Sequence, residues 1–155
     1  MKRNNNNFTD KIPVLKNRNY NFENKVVIIT GASSGIGFEV AKNFLLYGAN
    51  VVICSSNLNR IKRAYNKLIK IKKNKQKIFC LRVDVSSEKQ VKKLIKFTIR
   101  KLKKIDILVN NAGIYGPKGF IEKVNWKSWI KTIQVNLFGS IMLCREIIPH
   151  FKKRN

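Results

Sequence analysis

Acidic residues are scarce in this 155-residue sequence, which has 8 Asp and Glu against 33 Lys and Arg. It has one histidine and three cysteines (Cys54, Cys80 and Cys144), and the cysteines are widely separated, without the spacing of metal ligands. We therefore expect no metal site and no disulfide framework, and free thiols favour a reducing compartment, the cytoplasm. Because no apolar run approaches the roughly 20 residues that span a bilayer, we expect no membrane segment.

The shortage of acidic residues leaves a formal net charge of +25. One interpretation is a nucleic-acid or anionic-surface partner, because basic chains attract phosphate without sequence specificity. The other is a compositional bias towards Lys, Asn and Ile, with the lysines on solvated helix faces. Since no zinc-finger spacing or RNA-binding aromatic motif accompanies the charge, we favour the second interpretation and do not expect nucleic acid as a partner.

Short apolar runs alternate with amphipathic stretches from Lys25 onward. The predicted strands cover about residues 26–30, 51–54, 78–83 and 105–109. The predicted helices cover about residues 36–47, 58–72, 87–103 and 133–149, with a shorter helix that Asn125 caps and that contains Trp126 and Trp129. This alternation predicts right-handed βαβ crossovers and a doubly wound parallel α/β sheet of about four strands, covered on both faces.

The apolar spacing of the predicted helices adds detail. Ile61 and Ile71 belong to the buried stripe of the second helix, and Ser86 is expected to cap the third. Apolar residues crowd most faces of the last helix, so we expect it to be largely buried or to lie at a subunit contact, as in a homo-oligomer. Residues 1–22 are expected to form a flexible basic extension before a domain over residues 23–155.

Residues 30–37 read TGASSGIG and follow the first predicted strand. The glycine spacing is G-x-x-x-G-x-G, and it leads into a helix whose free N–H groups and dipole attract phosphate. Gly31 permits a sharp turn, Gly35 lets backbone approach a pyrophosphate, and Gly37 lets the helix pack closely. The two serines of the loop add hydroxyl donors. The stretch predicts a phosphate cradle for a dinucleotide; a glycine turn that serves packing alone is the alternative.

The end of the second predicted strand lacks the acid that an NAD site usually carries about 20 residues after the glycines. The residues there are neutral: Ser55, Ser56 and Asn57. A carboxylate would repel the 2′-phosphate of NADP, whereas neutral hydroxyls would accept it with help from Arg60, Lys62 or Arg63. We therefore favour NADP, and NAD is the alternative.

Two further strand ends are expected on the same rim of the sheet. Asp84 and Val85 follow the third strand, and the Asp84 carboxylate is suited to accept a hydrogen bond from an adenine amino group; turn chemistry is the alternative. Residues 110–113, NNAG, end the fourth strand, where asparagines tie neighbouring loops together and the small residues leave room for a ribose. The two segments predict further walls of one pocket.

These motifs, with Asn136 in VNLFG, resemble in order and spacing those of the short-chain dehydrogenase/reductase family over residues 22–155. The resemblance implies a Rossmann-type sheet, an NAD or NADP cofactor, and hydride transfer between its nicotinamide and a carbonyl or alcohol carbon of a small substrate. It implies cofactor contacts by Gly31, Ser33, Ser34, Gly35, Ile36, Gly37, Ser55, Ser56, Asn57, Asp84, Val85, Asn111, Ala112 and Gly113. Asn136 matches the family's helix asparagine that holds a water in the proton relay.

Asn136 also has a role on physical grounds alone. It lies between Val135 and Leu137 in an apolar predicted helix, where an unpaired buried amide would cost about 1–3 kcal/mol. Its partner is expected to be a relay water or a neighbouring backbone carbonyl.

The family's acid–base pair, a tyrosine followed four residues later by a lysine, is missing. The residues four beyond Tyr20, Tyr47, Tyr65 and Tyr115 are Asn24, Val51, Ile69 and Gly119. The resemblance covers about the first half of the family's domain, so we expect that pair and its serine beyond Asn155 and expect this chain to be inactive alone. A non-catalytic dinucleotide-binding module is one alternative, and a basic nucleic-acid-binding protein is another.

Overall fold

The computed structural model describes residues 20–73 and 75–153 and forms a four-stranded parallel sheet in the order β3-β2-β1-β4. The strands are β1 (Val26–Thr30), β2 (Asn50–Ser55), β3 (Ile78–Arg82) and β4 (Ile107–Val109). The helices are α1 (Gly35–Leu46), α2 (Leu58–Leu68), α3 (Glu88–Leu102), α4 (Trp126–Ile133) and α5 (Gly139–Lys152), with a π-helical turn, Gln134–Phe138, between the last two. The predicted parallel α/β sheet is confirmed.

Residues of the two central strands alternate between two apolar clusters, one on each face of the sheet. Val27 and Ile29 pack with buried residues of α1 and α2, whereas Ile28 and Val52 pack with those of α3 and α5. All five residues of β1 are buried, and fully burying a Val or Ile side chain contributes about 1.5–3 kcal/mol. Because helices cover both faces, the central strands are continuously apolar rather than alternating, as the doubly wound arrangement requires.

Helix α2 ends at Leu68, one turn before the predicted end at residue 72. Ile71, predicted to lie in its buried stripe, is therefore exposed. The following segment is rich in lysine, and like charges three or four residues apart disfavour a further helical turn. The N–H of Lys73 donates instead to Gln76 Oε1 (2.7 Å), which closes a turn before β3.

The prediction that Ser86 caps the third helix is wrong. The N-cap residue of α3 is Ser87, and the Ser86 hydroxyl donates to Asp84 Oδ1 at 2.6 Å. The Ser86 Oγ accepts from Lys131 Nζ (2.7 Å), so an ammonium uses the acceptor side of this hydroxyl instead of an N–H group of α3. Glu88 in the first turn places negative charge near the N-terminus of α3, where the helix dipole favours it.

Burial of the last predicted helix, one of its two expected outcomes, is also wrong. The segment divides into a π-helical turn and α5, and its buried side includes Leu143 and Ile147, which pack in the cluster beneath α3. The exposed large apolar residues of the predicted range are Ile133, Leu137, Phe138, Ile141 and Ile148. The subunit contact, the other expected outcome, stays a prediction.

Most of the predicted basic extension, residues 1–19, lies outside the described residues, so its flexibility and the domain boundary stay predictions. Phe22 does belong to the described part. Its N–H donates to the Tyr47 carbonyl (2.8 Å), and its ring centroid lies 4.8 Å from that of Phe44. Within residues 20–73 and 75–153, no helix has the length and apolar character needed to cross a membrane.

Candidate functional site

The carboxyl ends of the four strands border one cleft with a volume of about 640 Å³. It lies where the strand order reverses, between β1 and β4, which is where open α/β sheets bind ligands. All but one of the cofactor contacts that the family resemblance implies line this cleft, and so does Asn136. They are Gly31, Ser33, Ser34, Ile36, Gly37, Ser55, Ser56, Asn57, Asp84, Val85, Asn111, Ala112, Gly113 and Asn136. The exception is Gly35, which borders an adjoining cavity between α1 and α2.

The three glycines of the loop have different surroundings. Gly31 has a φ of +65°, and a Cβ there would lie 2.8 Å from the Cα of Ala112. Gly35 has a φ of +58°, but nothing lies within 4 Å of the position of its Cβ. A Cβ on Gly37 would collide with Asn111 Nδ2 and would lie 2.8 Å from the Gly31 carbonyl oxygen. Gly31 and Gly37 thus allow close packing, whereas open space adjoins Gly35.

Thr30 and Asn111 join the loop after β1 to the loop after β4. Asn111 Nδ2 donates to the carbonyls of Thr30 (2.9 Å) and Gly31 (3.3 Å). The Thr30 hydroxyl accepts from the N–H groups of Asn111 and Ala112, both at 3.0 Å, and donates to the Val109 carbonyl (3.3 Å). The Asn111 side chain therefore fixes the walls of the cleft, as expected for asparagines that tie neighbouring loops together.

The neutral residues after β2 are engaged with the start of α2. Asn57 is the N-cap residue, and its side chain accepts from the Arg60 N–H (2.9 Å). The Asn57 N–H donates to Ser55 Oγ (3.4 Å), and Arg82 Nε donates to the Ser56 carbonyl (3.2 Å). The Arg60 side chain also lines the cleft, so this wall has a positive charge and no carboxylate.

Asp84, after β3, accepts hydrogen bonds on both carboxylate oxygens. Oδ1 accepts from the N–H (2.9 Å) and hydroxyl (2.6 Å) of Ser86, and Oδ2 accepts from Lys131 Nζ (3.2 Å). Partial burial raises the pKa of Asp84, but the hydrogen bonds from Ser86 and Lys131 and the Lys131 charge outweigh it and hold the pKa below its usual value. The carboxylate is therefore ionised at neutral pH and acts as an acceptor.

Asn136 lies in the π-helical turn and is exposed, so its predicted burial is wrong. Its Oδ1 accepts from the Ile114 N–H (2.9 Å), and its Nδ2 donates to the Ile114 carbonyl (3.0 Å). Of the two partners expected for the amide, the structure shows the backbone carbonyl and adds the N–H of the same residue. The π-helical turn alters the angular position of the side chains, a feature often found at functional sites. These two hydrogen bonds connect the loop after β4 to the π-helical turn.

Further residues line the cleft without having been predicted from the sequence. They are Val83, Ile114, Tyr115, Lys131 and Val135. Ile114 and Tyr115 directly follow the NNAG motif, and Lys131 lies one helical turn before Val135, which precedes Asn136. Lys131 lies five residues before the predicted Asn136, and a lysine in a basic sequence carries little information by itself.

The sequence profile of the short chain dehydrogenase family matches residues 25–155. The dehydrogenase/reductase SDR family member 4 of Caenorhabditis elegans is 38% identical over 134 residues, covering 85% of this chain and 50% of that protein. A solved 7α-hydroxysteroid dehydrogenase, complexed with NADH and 7-oxo glycochenodeoxycholic acid, gives a TM-score of 0.79 at 34% identity, covering 88% of this chain and 51% of that one. A solved L-sorbose reductase from Gluconobacter frateurii, complexed with NADPH and L-sorbose, gives a TM-score of 0.80 at 27% identity, covering 88% of this chain and 51% of that one.

These similarities extend over the whole cleft. The matched range contains the glycine loop, Asp84, the NNAG motif and Asn136, in the order in which the sheet brings them together. The chain spans about half the length of the relatives that it matches. By sequence and by fold, the chain belongs to the short chain dehydrogenase family.

Proposed function

We propose that this chain forms the cofactor-binding part of an oxidoreductase that acts on a carbonyl or alcohol carbon of a small substrate. The observation that supports this most strongly is the single cleft in which the glycine loop, Asp84 and residues 110–113 lie together. Ligands of open α/β sheets bind in such a crevice. When bound, the nicotinamide of the cofactor supplies or accepts the hydride.

The N-terminus of α1 suits a pyrophosphate group. Its N-cap residue, Ser34, makes no side-chain capping hydrogen bond, so it leaves the first N–H groups of the helix available to an anion. The first turn contains no acidic residue that would repel phosphate, and the helix dipole attracts negative charge. We therefore assign the phosphate contacts to the loop from Gly31 to Gly37, the adenine contact to Asp84 and Val85, and a ribose contact to Asn111–Gly113.

NADP is the cofactor that the wall beside β2 favours. Arg60 lines the cleft together with Ser55 and Ser56, and no carboxylate follows β2 to repel a 2′-phosphate. Arg60 also lines the adjoining cavity, of about 560 Å³, whose other cations are Arg63 and Lys67. The solved relatives described above carry NADH in one case and NADPH in the other, so the preference rests on these residues.

Lys62 is a poorer candidate than Arg60 for contacting the 2′-phosphate. Burial raises the pKa of the Cys80 thiol in β3, and the positive charge of Lys62 partly opposes this increase. Lys62 therefore lies near β3. Lys62 does not line the cleft, although it lies only two residues from Arg60 on the same helix. The side chains of α2 thus offer a matched pair of cations, one beside the cleft and one away from it.

Arg60→Ala is expected to raise the Kd of NADPH about tenfold or more, because hydrogen bonds to charged groups contribute about 1.5–3 kcal/mol. The Kd of NADH should not change, since NADH lacks the 2′-phosphate. Isothermal titration calorimetry with both nucleotides measures this, and Lys62→Ala is the matched control. Equal weakening of NADPH binding by the two variants, or equal loss of both nucleotides in Arg60→Ala, would contradict the assignment.

Negligible turnover is expected from the 155-residue chain, because none of its tyrosines is followed four residues later by a lysine. A nearby ammonium is what lowers a tyrosine pKa towards the working pH. We assign Asn136 to the proton relay as a helper. NADPH oxidation with a panel of carbonyl substrates tests the expected inactivity, and a measurable rate that Asn136→Ala abolishes would contradict negligible turnover. Saturable NADPH binding without turnover also fits a non-catalytic dinucleotide-binding module, the alternative function.

A cytoplasmic location and a homo-oligomer complete the proposal. The three cysteines are free thiols, as expected in a reducing compartment. Burial raises the pKa of Cys54 to about 12, so this thiol is unreactive at neutral pH.

The homo-oligomer is proposed from the exposed apolar side of the last helical segment. Leu137, Ile141 and Ile148 lie on this side, and a second copy of the chain would cover it.

A further inference from the structure

Lys131 extends from α4 to the residues that follow β3, at the wall of the cleft. Its Nζ lies 2.7 Å from Ser86 Oγ and 3.2 Å from Asp84 Oδ2. Because the Ser86 hydroxyl also donates to Asp84 Oδ1 (2.6 Å), an ammonium, a hydroxyl and a carboxylate form a closed triad. Asp84 and Lys131 both line the cleft.

Stability of the fold does not account for this triad. The side chains of Lys131 and Asp84 are 47% and 37% exposed, and ion pairs exposed to this degree contribute about 0–1 kcal/mol. The pair joins α4 to the carboxyl end of β3, so what it determines is the geometry of one wall of the cleft. Its effect is therefore to be sought in ligand binding.

The hydrogen bonds of Asp84 leave one acceptor position free of the triad. An ionised carboxylate has about four in-plane acceptor positions, two on each oxygen. Ser86 occupies both positions of Oδ1, and Lys131 occupies one position of Oδ2. Since each oxygen is held by a different residue, rotation of the carboxylate would break at least one of these bonds. The remaining position on Oδ2 therefore has a fixed direction.

We propose that Lys131 is a positioning residue for the adenine end of the dinucleotide. It holds the Asp84 carboxylate so that the free Oδ2 position accepts a hydrogen bond from the exocyclic amine of a 6-aminopurine. This inference rests on the proposed function, since it concerns how the same cleft selects its ligand. Lys131 also neutralises the carboxylate beside a ligand that carries several phosphate charges. The consequence is discrimination between an amine and a carbonyl at position 6 of the purine.

The test compares NADPH with its hypoxanthine analogue, in which a carbonyl oxygen replaces the amine. The wild-type chain is expected to bind NADPH about tenfold more tightly or better, the effect of one hydrogen bond to a charged acceptor. The ratio of the dissociation constant of the analogue to that of NADPH should fall at least about threefold towards one in Lys131→Met, and Lys131→Arg should restore the wild-type ratio. Lys127→Met is the matched control, because it removes the same charge from an exposed position of α4 outside the cleft.

Calorimetric dissociation constants distinguish the outcomes, and thermal unfolding curves show whether each variant is folded. Reduced nicotinamide mononucleotide, which lacks adenine, should bind equally to the wild type and to Lys131→Met; an equal loss for all ligands would indicate a merely structural role and overturn the inference. A wild-type ratio near one, or a ratio unchanged in Lys131→Met despite saturable NADPH binding, overturns the inference alone. Failure of the wild-type chain to bind NADPH or NADH overturns the proposed function together with it.

Discussion

Gly31→Ala is expected to lower the free energy of unfolding by about 2–5 kcal/mol, and Gly35→Ala by only about 1–2 kcal/mol. Both glycines have left-handed backbone, with φ of +65° and +58°, which costs other residues about 1–2 kcal/mol. Only at Gly31 would the new Cβ also meet backbone, 2.8 Å from the Cα of Ala112. That clash adds about 1–3 kcal/mol. Urea denaturation followed by circular dichroism measures both variants.

The matched pair isolates the contact between the two loops, because the cost of placing alanine in left-handed backbone is common to both variants. Equal losses in Gly31→Ala and Gly35→Ala would contradict a close approach of Gly31 to Ala112. Gly31 and Ala112 both line the cleft, so a shift that relieves the clash would also move its walls. We therefore expect Gly31→Ala to weaken NADPH binding as well as the fold.

The shared rim of the sheet could be predicted from the sequence because it depends on local patterns. The apolar run before Thr30 and the one before Ser55 mark strands that end at polar residues, and intervening helices require parallel crossovers. Parallel strands place their carboxyl ends at one edge, so Asp84 and Asn111 had to approach the glycine loop. The position of the cleft follows from this topology without any knowledge of side-chain contacts.

The partners of individual polar side chains could not be predicted in the same way. Ser86 and Ser87 are adjacent and identical, and spacing alone does not tell which of them bonds the Asp84 carboxylate and which is the N-cap residue of α3. Asn136 bonds the backbone of Ile114 because the loop after β4 folds onto the π-helical turn, a tertiary contact with no local signature. Such choices depend on which groups come within about 3 Å of each other, and sequence spacing does not determine this.

Gln76 is the polar residue whose role the sequence hides most completely, because it lies in a lysine-rich segment typical of an exposed loop. It is 7% exposed, and its Nε2 donates to the carbonyls of Leu45 (2.7 Å) and Ala49 (2.8 Å). Its Oε1 accepts from the Lys73 N–H (2.7 Å), so one amide joins the end of α1, the start of β2 and the turn before β3.

Gln76→Leu is expected to lower the free energy of unfolding by about 2–4 kcal/mol, because each buried polar group left unpaired costs about 1–3 kcal/mol. The variant keeps a similar volume but removes both donors and the acceptor. Urea denaturation measures the loss, and Gln134→Leu is the matched control, since it makes the same chemical change at an exposed position. The control should shift stability by no more than about 0.5 kcal/mol.

Gln76→Glu separates the hydrogen bonds from the packing, because a glutamate has nearly the same shape as glutamine. When ionised, the introduced carboxylate is buried, and the oxygen that replaces Nε2 faces the Leu45 and Ala49 carbonyl oxygens without a donor, while the other oxygen keeps the Lys73 N–H. Burial and the two facing carbonyl oxygens favour the protonated form, which donates to one of them, and they outweigh the single N–H. Its pKa is therefore higher in the folded chain than in the unfolded chain, and the folded chain binds the additional proton. The free energy of unfolding of the variant should then rise relative to the wild type as the pH falls from 7 towards the unfolded value of about 4.3. A difference from the wild type that is constant over this pH range would show that the side chain of residue 76 does not face the two carbonyls.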